Sequence, residues 1–496
     1  ELLKEIMPSQ IIYSTGYGAY QAKLNAVDMR TYTSKYSFKP AGNDLVDLNI
    51  AAWMTDTTMT TPYQWYRNDD PSLDNFYGTR NRRFGINASN TSAFDTALGA
   101  MSLSYGGAVT RESIRPGRDA DVDLGRQGNR QDMSLFTSGM WKPTNWLTLN
   151  AALRYSQFQS EDTRPWDTTV YPLRYNGQVV NFNTSSERAA YRRSHAGSVN
   201  LPQVTSKSYG VYQAYEGGGF APIASVTLEP WDGIQFYTKY AEALRLPSLF
   251  ETTRGFSFYG EDFPPGQGLK LRPEHAKTWE AGSNVLRQSV ITEDDKLGFK
   301  ASYFDSRVDD YLTRTIDKGR AYITNIDYAR LSGVELSASY VMGRVFGNVA
   351  YKHYIHTKFC SYPGQISSTT FKNPCSKGGV PNSYVINQLP PKNSLSATLG
   401  MRFFDEKLTF GGRMNFIGER PLSFLGFYQS TGGSLIHVEW KPYTVYDLFA
   451  SYKINEQFQV DAAVDNVTDV YYMDTLTLGL MPSPGRTFRL SMTAKF

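Results

Sequence analysis

The sequence predicts an all-β protein, a transmembrane antiparallel β-barrel with about 17 strands in view. Three observations lead there. Apolar and polar residues alternate through many segments of about ten residues. Aromatic residues make up 14% of the 496-residue chain, with 34 Tyr and 28 Phe beside 41 Gly. Connections alternate regularly between short and long. Successive side chains on a strand point to opposite sides, so period-two alternation gives one apolar and one polar face.

The elements follow in chain order. The opening "ELLKEIMPSQ" has no basic n-region, apolar h-region or small-residue cleavage site, so it is not read as a signal peptide. The first expected strand covers 24–39. "WLTLNAALRY" places Leu147, Leu149, Ala151, Leu153 and Tyr155 opposite Thr148, Asn150, Ala152 and Arg154. "VYDLFASYK" sets Tyr446, Leu448, Ala450 and Tyr452 against Asp447, Ser451 and Lys453, and Val460, Ala462 and Val464 oppose Asp461 and Asp465. The last strand, Arg486 to Phe496, sets Phe488, Leu490, Met492, Ala494 and Phe496 against Thr487, Arg489, Ser491, Thr493 and Lys495.

Short connections fall at 39–44, 142–145, 229–233, 292–296, 342–344, 405–407 and 454–457. Long ones fall at 62–82, 113–130, 156–217, 246–277, 357–393 and 418–443. Short turns on one side and long polar loops on the other are the outer-membrane pattern. Trp141, Trp146, Trp231 and Tyr446 near strand ends fit aromatic girdles at the two interfaces. A large soluble all-β protein is the alternative, but it has no reason to segregate its loops by length.

The first strand runs directly into a short turn, so an even-numbered barrel needs strands before it. Residues 1–496 therefore read as one domain, the C-terminal part of a barrel of about 22 strands, incomplete at its N-terminus and without a plug. No apolar run of about 18 residues occurs, which excludes a spanning helix. The net charge of +4 is dispersed along the chain, which gives no support for nucleic-acid binding. Cys360 and Cys375 enclose "CSYPGQISSTTFKNPC", a close pair in a polar loop that reads as a disulfide of an oxidising compartment, with two unpaired thiols as the alternative.

The residues resemble the TonB-dependent outer-membrane receptors over essentially the whole chain. Asp465-Asn466, Asp469, Tyr471-Tyr472 and Pro484-Gly485-Arg486 look like the family's closing hairpin, and terminal Phe496 resembles its barrel-assembly signal. In 242–282, Arg245 and Pro247 match one box of the family's haem receptors, and Leu271, Pro273 and Glu274 match the end of a second. Leu244 and Leu246 replace Phe and Ala of the first box, and the Asn-Pro-Asn of the second is missing. The stretch 471–487 is similar to the C-terminal hairpin of haem and haemophore receptors.

The resemblance implies TonB-dependent active transport across a Gram-negative outer membrane. The implied cargo is haem, taken from haemoglobin or a haemophore; a ferric siderophore receptor and a passive porin-like channel are the alternatives. Implied partners are the TonB complex, through an N-terminal region not shown, a haem-carrying protein, and outer-membrane lipid and lipopolysaccharide. No intrinsic cofactor or metal site is expected, haem or ferric chelate being cargo.

Haem iron takes an imidazole, phenolate or sulfur ligand. Haem receptors of the family usually place a histidine between the two boxes, and none stands between Pro247 and Leu271. Candidate ligand contacts are Tyr259 as a phenolate, Arg254 for a propionate, Phe258, His195 and His356. Packing of Tyr259 against Phe256, Phe258 or Phe263 is its alternative role. His275 reads as structural, and the three-residue spacing of His353 and His356 places them on opposite faces of a strand. No enzyme is expected: G-x-S-x-G, H-E-x-x-H, a Walker loop and a Cys/His cluster are all missing.

Overall fold

The computed structural model describes residues 26–64, 74–117, 126–253, 266, 270–317, 320–362, 375–377, 389–420, 441–473 and 482–495. Its elements begin with β1 (Ala26–Phe38), β2 (Leu48–Gln64), β3 (Asp74–Thr96), β4 (Gly99–Pro116), β5 (Gly128–Thr144) and β6 (Leu147–Asp162). An insertion follows, of β7 (Trp166–Tyr175), β8 (Gln178–Phe182), α1 (Ser185–Ser194), β9 (Val199–Asn200) and β10 (Val204–Ser208). Then come β11 (Gln213–Trp231), β12 (Ile234–Arg245), α2 (Leu249–Thr252), β13 (Glu274–Gln288) and β14 (Lys296–Asp309). A small hairpin, β15 (Leu312–Asp317) and β16 (Arg320–Asn325), precedes β17 (Tyr328–Met342), β18 (Val345–Cys360) and β19 (Cys375–Ser376). The chain closes with β20 (Asn393–Phe403), β21 (Leu408–Ile417), β22 (Tyr443–Lys453), β23 (Phe458–Asp465) and β24 (Thr487–Ala494).

Eighteen strands share one antiparallel sheet, of which β19 is two residues long and hangs on β18. The others pair each with the next along the chain, from β1 to β6, through β11–β14, β17, β18 and β20, to β24. β7–β10 and β15–β16 form separate small sheets within two connections. Among the described residues, β1 pairs only with β2 and β24 only with β23.

Alternation along each strand becomes rows across the sheet. Leu490, Ala462, Ala450, Phe410, Met401 and Val345 stand in register on six neighbouring strands. On β24, Phe488, Leu490 and Met492 are 75%, 78% and 67% exposed. A soluble sandwich would bury such a face against a second sheet. Here no second sheet covers it among the described residues, and a buried apolar cluster lies at the long-loop end, where Ile326, Ala329, Phe359 and Leu389 pack with Val308, Tyr311 and Leu331.

The short connections are tight and locally encoded. Trp231 pairs with Ile234 around Asp232-Gly233, and Gly233 has φ +68°, where an added Cβ would strike the Leu286 carbonyl. The Ala97-Leu98 turn between β3 and β4 is a further short connection, one the sequence reading did not separate out. Between β13 and β14 the buried Asp295 carboxylate accepts from the Val290, Ile291 and Thr292 N–H groups at 2.6, 2.6 and 2.9 Å and from the Tyr340 hydroxyl at 2.6 Å. Burial by itself would raise its pKa. The Tyr340 bond and the three backbone donors outweigh that and hold the carboxylate well below the usual range.

A depressed carboxylate stabilises the turn above its unfolded pKa, near 4, and ceases to as pH falls toward the folded value. Asp295→Ala should therefore speed amide exchange at 290–292 at pH 7 and remove the acid-dependent loosening of this turn seen in the parent. Unchanged exchange at pH 7 would show that the carboxylate does not organise the turn.

Candidate functional site

The described parts of the long connections lie at one end of the sheet, and residues of the two boxes meet there. Register places Arg245, the last residue of β12, opposite Glu274, the first of β13. The Arg245 guanidinium donates from Nε to Glu274 Oε2 at 2.7 Å and from Nη2 to Oε1 at 2.8 Å, a bidentate fork. Its Nη1 reaches Glu251 Oε1 and Oε2 at 2.9 and 3.0 Å. Glu274, 8% exposed, also accepts the Leu312 N–H at 2.7 Å. Pro247 and Leu271 are buried, and the Pro273 ring closes over Gly217, where a Cβ would lie 3.2 Å from it.

Glu251 was not singled out in the sequence, although "SLFE" carries the signal of a capping box. Ser248 caps α2 by accepting the Glu251 N–H, and the Glu251 carboxylate accepts the Ser248 N–H at 2.8 Å. α2 lies across the polar face of the wall. Leu249 is 1% exposed, and Thr252 and Ser160 of β6 share a 2.6 Å hydroxyl bond. Gly128 admits this contact, since a Cβ there would stand 2.5 Å from the Thr253 methyl. Arg126 lies over the Phe250 ring at 3.4 Å and donates to its carbonyl. Arg245 and Glu274 thus clasp the two ends of the β12–β13 connection together, and Glu251 ties α2 to them.

The second box extends through Arg272, which donates to Asp310 Oδ1 at 2.8 Å and to the Tyr362 hydroxyl at 2.6 Å. Tyr362 also donates to Asp310; burial first, and this bond second, push its pKa up to about 12. Lower on the polar face, Tyr237 donates to Glu280 at 2.5 Å and Lys352 pairs with Glu335 at 2.7 Å. The Lys352 ammonium lies 4.9 Å from both the Phe304 and Tyr354 rings. This face is a polar, charge-paired wall.

Cys360 and Cys375 are joined, fastening β19 to β18. The β18–β20 register ends at His353 with Asn393, and the Tyr354 N–H still donates to the Lys392 carbonyl at 2.9 Å. A cavity of about 600 Å³ opens there, lined among the described residues by Tyr354, His356, Lys358, Lys377, Lys392 and Arg420 with Glu419.

The opposite-face expectation for His353 and His356 is overturned. A bulge at Ser332/Gly333 leaves Ile355 without a partner, so His353 pairs with Val334 and His356 with Ser332, two positions on the same face. That face is the apolar one. His356 Nδ1 is 3.0 Å from Ser332 Oγ and His353 Nδ1 is 2.6 Å from Asn393 Oδ1. His275 bonds Glu242 at 2.5 Å, in keeping with a structural role.

His195 caps α1 in the β6–β11 insertion. Its ring stacks on Tyr191, with centroids 3.7 Å apart and planes 4° apart, and meets the Tyr175 edge at 5.0 Å. Nδ1 lies 2.9 Å from the Tyr191 carbonyl, which can only accept, and 3.0 Å from the Ser194 hydroxyl, so these groups engage Nδ1 and not Nε2. Arg254, Phe258, Tyr259, His437 and Phe496 lie outside the described residues. The structure does not bring His195 and His356 into contact, and no group of three or more His, Cys, Asp or Glu suited to a metal occurs among the described residues.

A meander of long strands, with a broad apolar band on one face and a polar, ion-paired opposite face, short turns at one end and folded insertions at the other, has the build of an outer-membrane barrel wall. The chain belongs to the TonB dependent receptor-like, beta-barrel family, whose model matches residues 7–467. That family's barrels reside in the Gram-negative outer membrane. The chain is 24% identical to the Hemophilin receptor of Acinetobacter baumannii over 613 aligned positions, covering 99% of this chain and 57% of that protein. It is 21% identical to TonB-dependent heme receptor A of Haemophilus ducreyi, covering 97% of this chain and 64% of that one. The chain thus spans less than two thirds of either relative. Its fold is similar to that of the Serratia marcescens hemophore receptor HasR, solved as a double mutant with its hemophore HasA and heme. The TM-score is 0.68 at 24% identity, covering 96% of this chain and 68% of that one.

Proposed function

We propose that the chain is the barrel part of an outer-membrane receptor that takes haem from a haem-carrying protein and imports it with TonB-derived energy. The observation that carries this reading is the alignment of 99% of the chain with a receptor named for hemophilin. In this reading the antiparallel sheet is wall of a barrel of about 22 strands. The short turns then face the periplasm, the folded insertions the outside, and the polar face the lumen. The β7–β10 and α1 insertion is the surface offered to a protein partner, and it exposes Val179, Val199, Val204 and Tyr209. His195, whose Nδ1 is taken up by the Tyr191 carbonyl, presents Nε2 as the haem-iron ligand this surface supplies.

A strain lacking the intact receptor, starved of iron, should fail on haem-loaded protein as sole iron source and recover with the receptor restored. Restoration carrying His195→Ala should slow growth on free haem by about tenfold or more and alter the Soret band of the purified receptor with haem. The alternative cargo is a ferric siderophore, favoured by the lack of histidine between Pro247 and Leu271. Growth defects confined to siderophores would replace the haem reading with that one.

A further inference from the structure

Four neighbouring strands carry a cation at one height on the apolar face. Lys277 of β13 stands opposite Arg307 of β14, Arg307 opposite Arg330 of β17, and Arg330 opposite Lys358 of β18. Strands lie about 4.8 Å apart, so the row spans about 14 Å. On the same face, toward the short-turn end, stand Trp279, Tyr303 and Leu336, which are 59%, 43% and 41% exposed. The wall is therefore apolar up to this row and cationic along it.

Like charges directly opposite on a sheet repel, and the carboxylates nearby do not balance the row. Asp309 is shared by Lys277 at 3.0 Å and Arg307 at 2.6 Å, and Asp305 pairs with Arg330 at 2.5 Å. Glu242, opposite Lys277 in register, is held by the Tyr240 hydroxyl and His275, each at 2.5 Å. Lys358 has no carboxylate partner among the described residues. Its ammonium lies 5.6 Å from the Tyr328 ring, which Arg307 covers at 3.9 Å. The motif recurs far along the wall. Arg30, Asp56 and Arg82 stand in register on β1–β3, Arg80 joins the same carboxylate at 2.5 Å, and Met54, Phe84 and Ile86 continue the face toward the short turns.

In a barrel seated in a membrane, the reading proposed above, this face meets lipid, and a cation row at the upper edge of its apolar band meets headgroups. We infer that Lys277, Arg307, Arg330 and Lys358 bind the phosphorylated sugar headgroup of an outer-leaflet glycolipid, whose acyl chains run down over Trp279, Tyr303 and Leu336. Phosphate oxygens supply the missing negative charge, and a headgroup bearing two phosphates spans a row of this length where a single free anion does not.

The test uses the intact receptor purified in neutral detergent and titrated, by native mass spectrometry, with bis-phosphorylated lipid A, dephosphorylated lipid A, phosphatidylglycerol and inorganic phosphate. The parent should prefer bis-phosphorylated lipid A. Each basic residue at an anionic lipid surface contributes roughly fivefold, so the triple variant K277Q/R330Q/K358Q should lose on the order of a hundredfold. Lys358→Gln, which breaks no ion pair and leaves folding undisturbed, should lose about fivefold by itself. Growth on the receptor's cargo should stay as in the parent for Lys277→Gln, which lies outside the cavity between β18 and β20 and leaves Asp309 paired with Arg307, and this separates the inference from the transport reading. Equal binding of dephosphorylated lipid A, of phosphatidylglycerol or of inorganic phosphate would overturn it, as would unchanged affinity in both variants.

Discussion

Arg245→Ala should free the first turn of the β12–β13 connection while leaving the sheet intact. The guanidinium makes four bonds, two to Glu274 and two to Glu251. Without it, Glu274 keeps only the Leu312 N–H of the donors described above, in a site where its side chain is 10% exposed. Removing one partner of a buried pair costs about 3–5 kcal/mol. Arg245 itself is 47% exposed, so solvent screening reduces this to about 2 kcal/mol. Amide exchange at 249–253 and at Leu312 should accelerate about thirtyfold. The melting transition should hardly move, because the strand ladders carry it. Glu274→Gln, which keeps the shape and one carbonyl acceptor, should fall between parent and Arg245→Ala. Exchange in Arg245→Ala equal to the parent's would show that α2 is held by Leu249 packing and the Thr252–Ser160 bond instead.

Loss of the Cys360–Cys375 bond should be as large but confined to the mouth of the sheet. The bond closes a loop with a sequence separation of 15, for which chain entropy predicts about 3 kcal/mol. It also fixes β19, whose two residues pair with Phe359 and Cys360 and could not hold a ladder unaided. Cys360 is 1% exposed and Phe359 beside it belongs to the buried cluster, so Cys360→Ser would set a hydroxyl among apolar side chains. Cys375→Ser is the gentler variant. It should make 363–374 more susceptible to protease by about a hundredfold at neutral pH, and the freed Cys360 thiol should react slowly with maleimide because it must first be uncovered. Fast labelling with no change in proteolysis would mean that the loop is held by other contacts.

The alternation of Phe488, Leu490 and Met492 with Arg489 and Ser491 was readable because side-chain direction on a strand is a local property with a fixed period. The β1 and β24 boundaries, Ala26–Phe38 and Thr487–Ala494, fall within the segments 24–39 and 486–496 expected from it. The pairing of Cys360 with Cys375 was legible for a similar reason: few residues separate them. The box residues could be named, but not what they do. Arg245 and Glu274 stand 29 positions apart and meet only through the β12–β13 register.

What the sequence by itself determined is the wall: strands with two unlike faces, short turns at one end, long connections at the other. Tertiary structure decided the contents of the mouth and the faces of individual residues. Ile355, unpaired in a bulge, turned His356 to the side of His353. α2 found its dock on β6, about ninety residues away along the chain, at Ser160 and Thr252. The cations Lys277, Arg307, Arg330 and Lys358 became a row only when four strands fell into register. Period-two alternation is written into each strand, whereas register is a property of pairs, fixed when distant segments come together and one-residue slips are excluded.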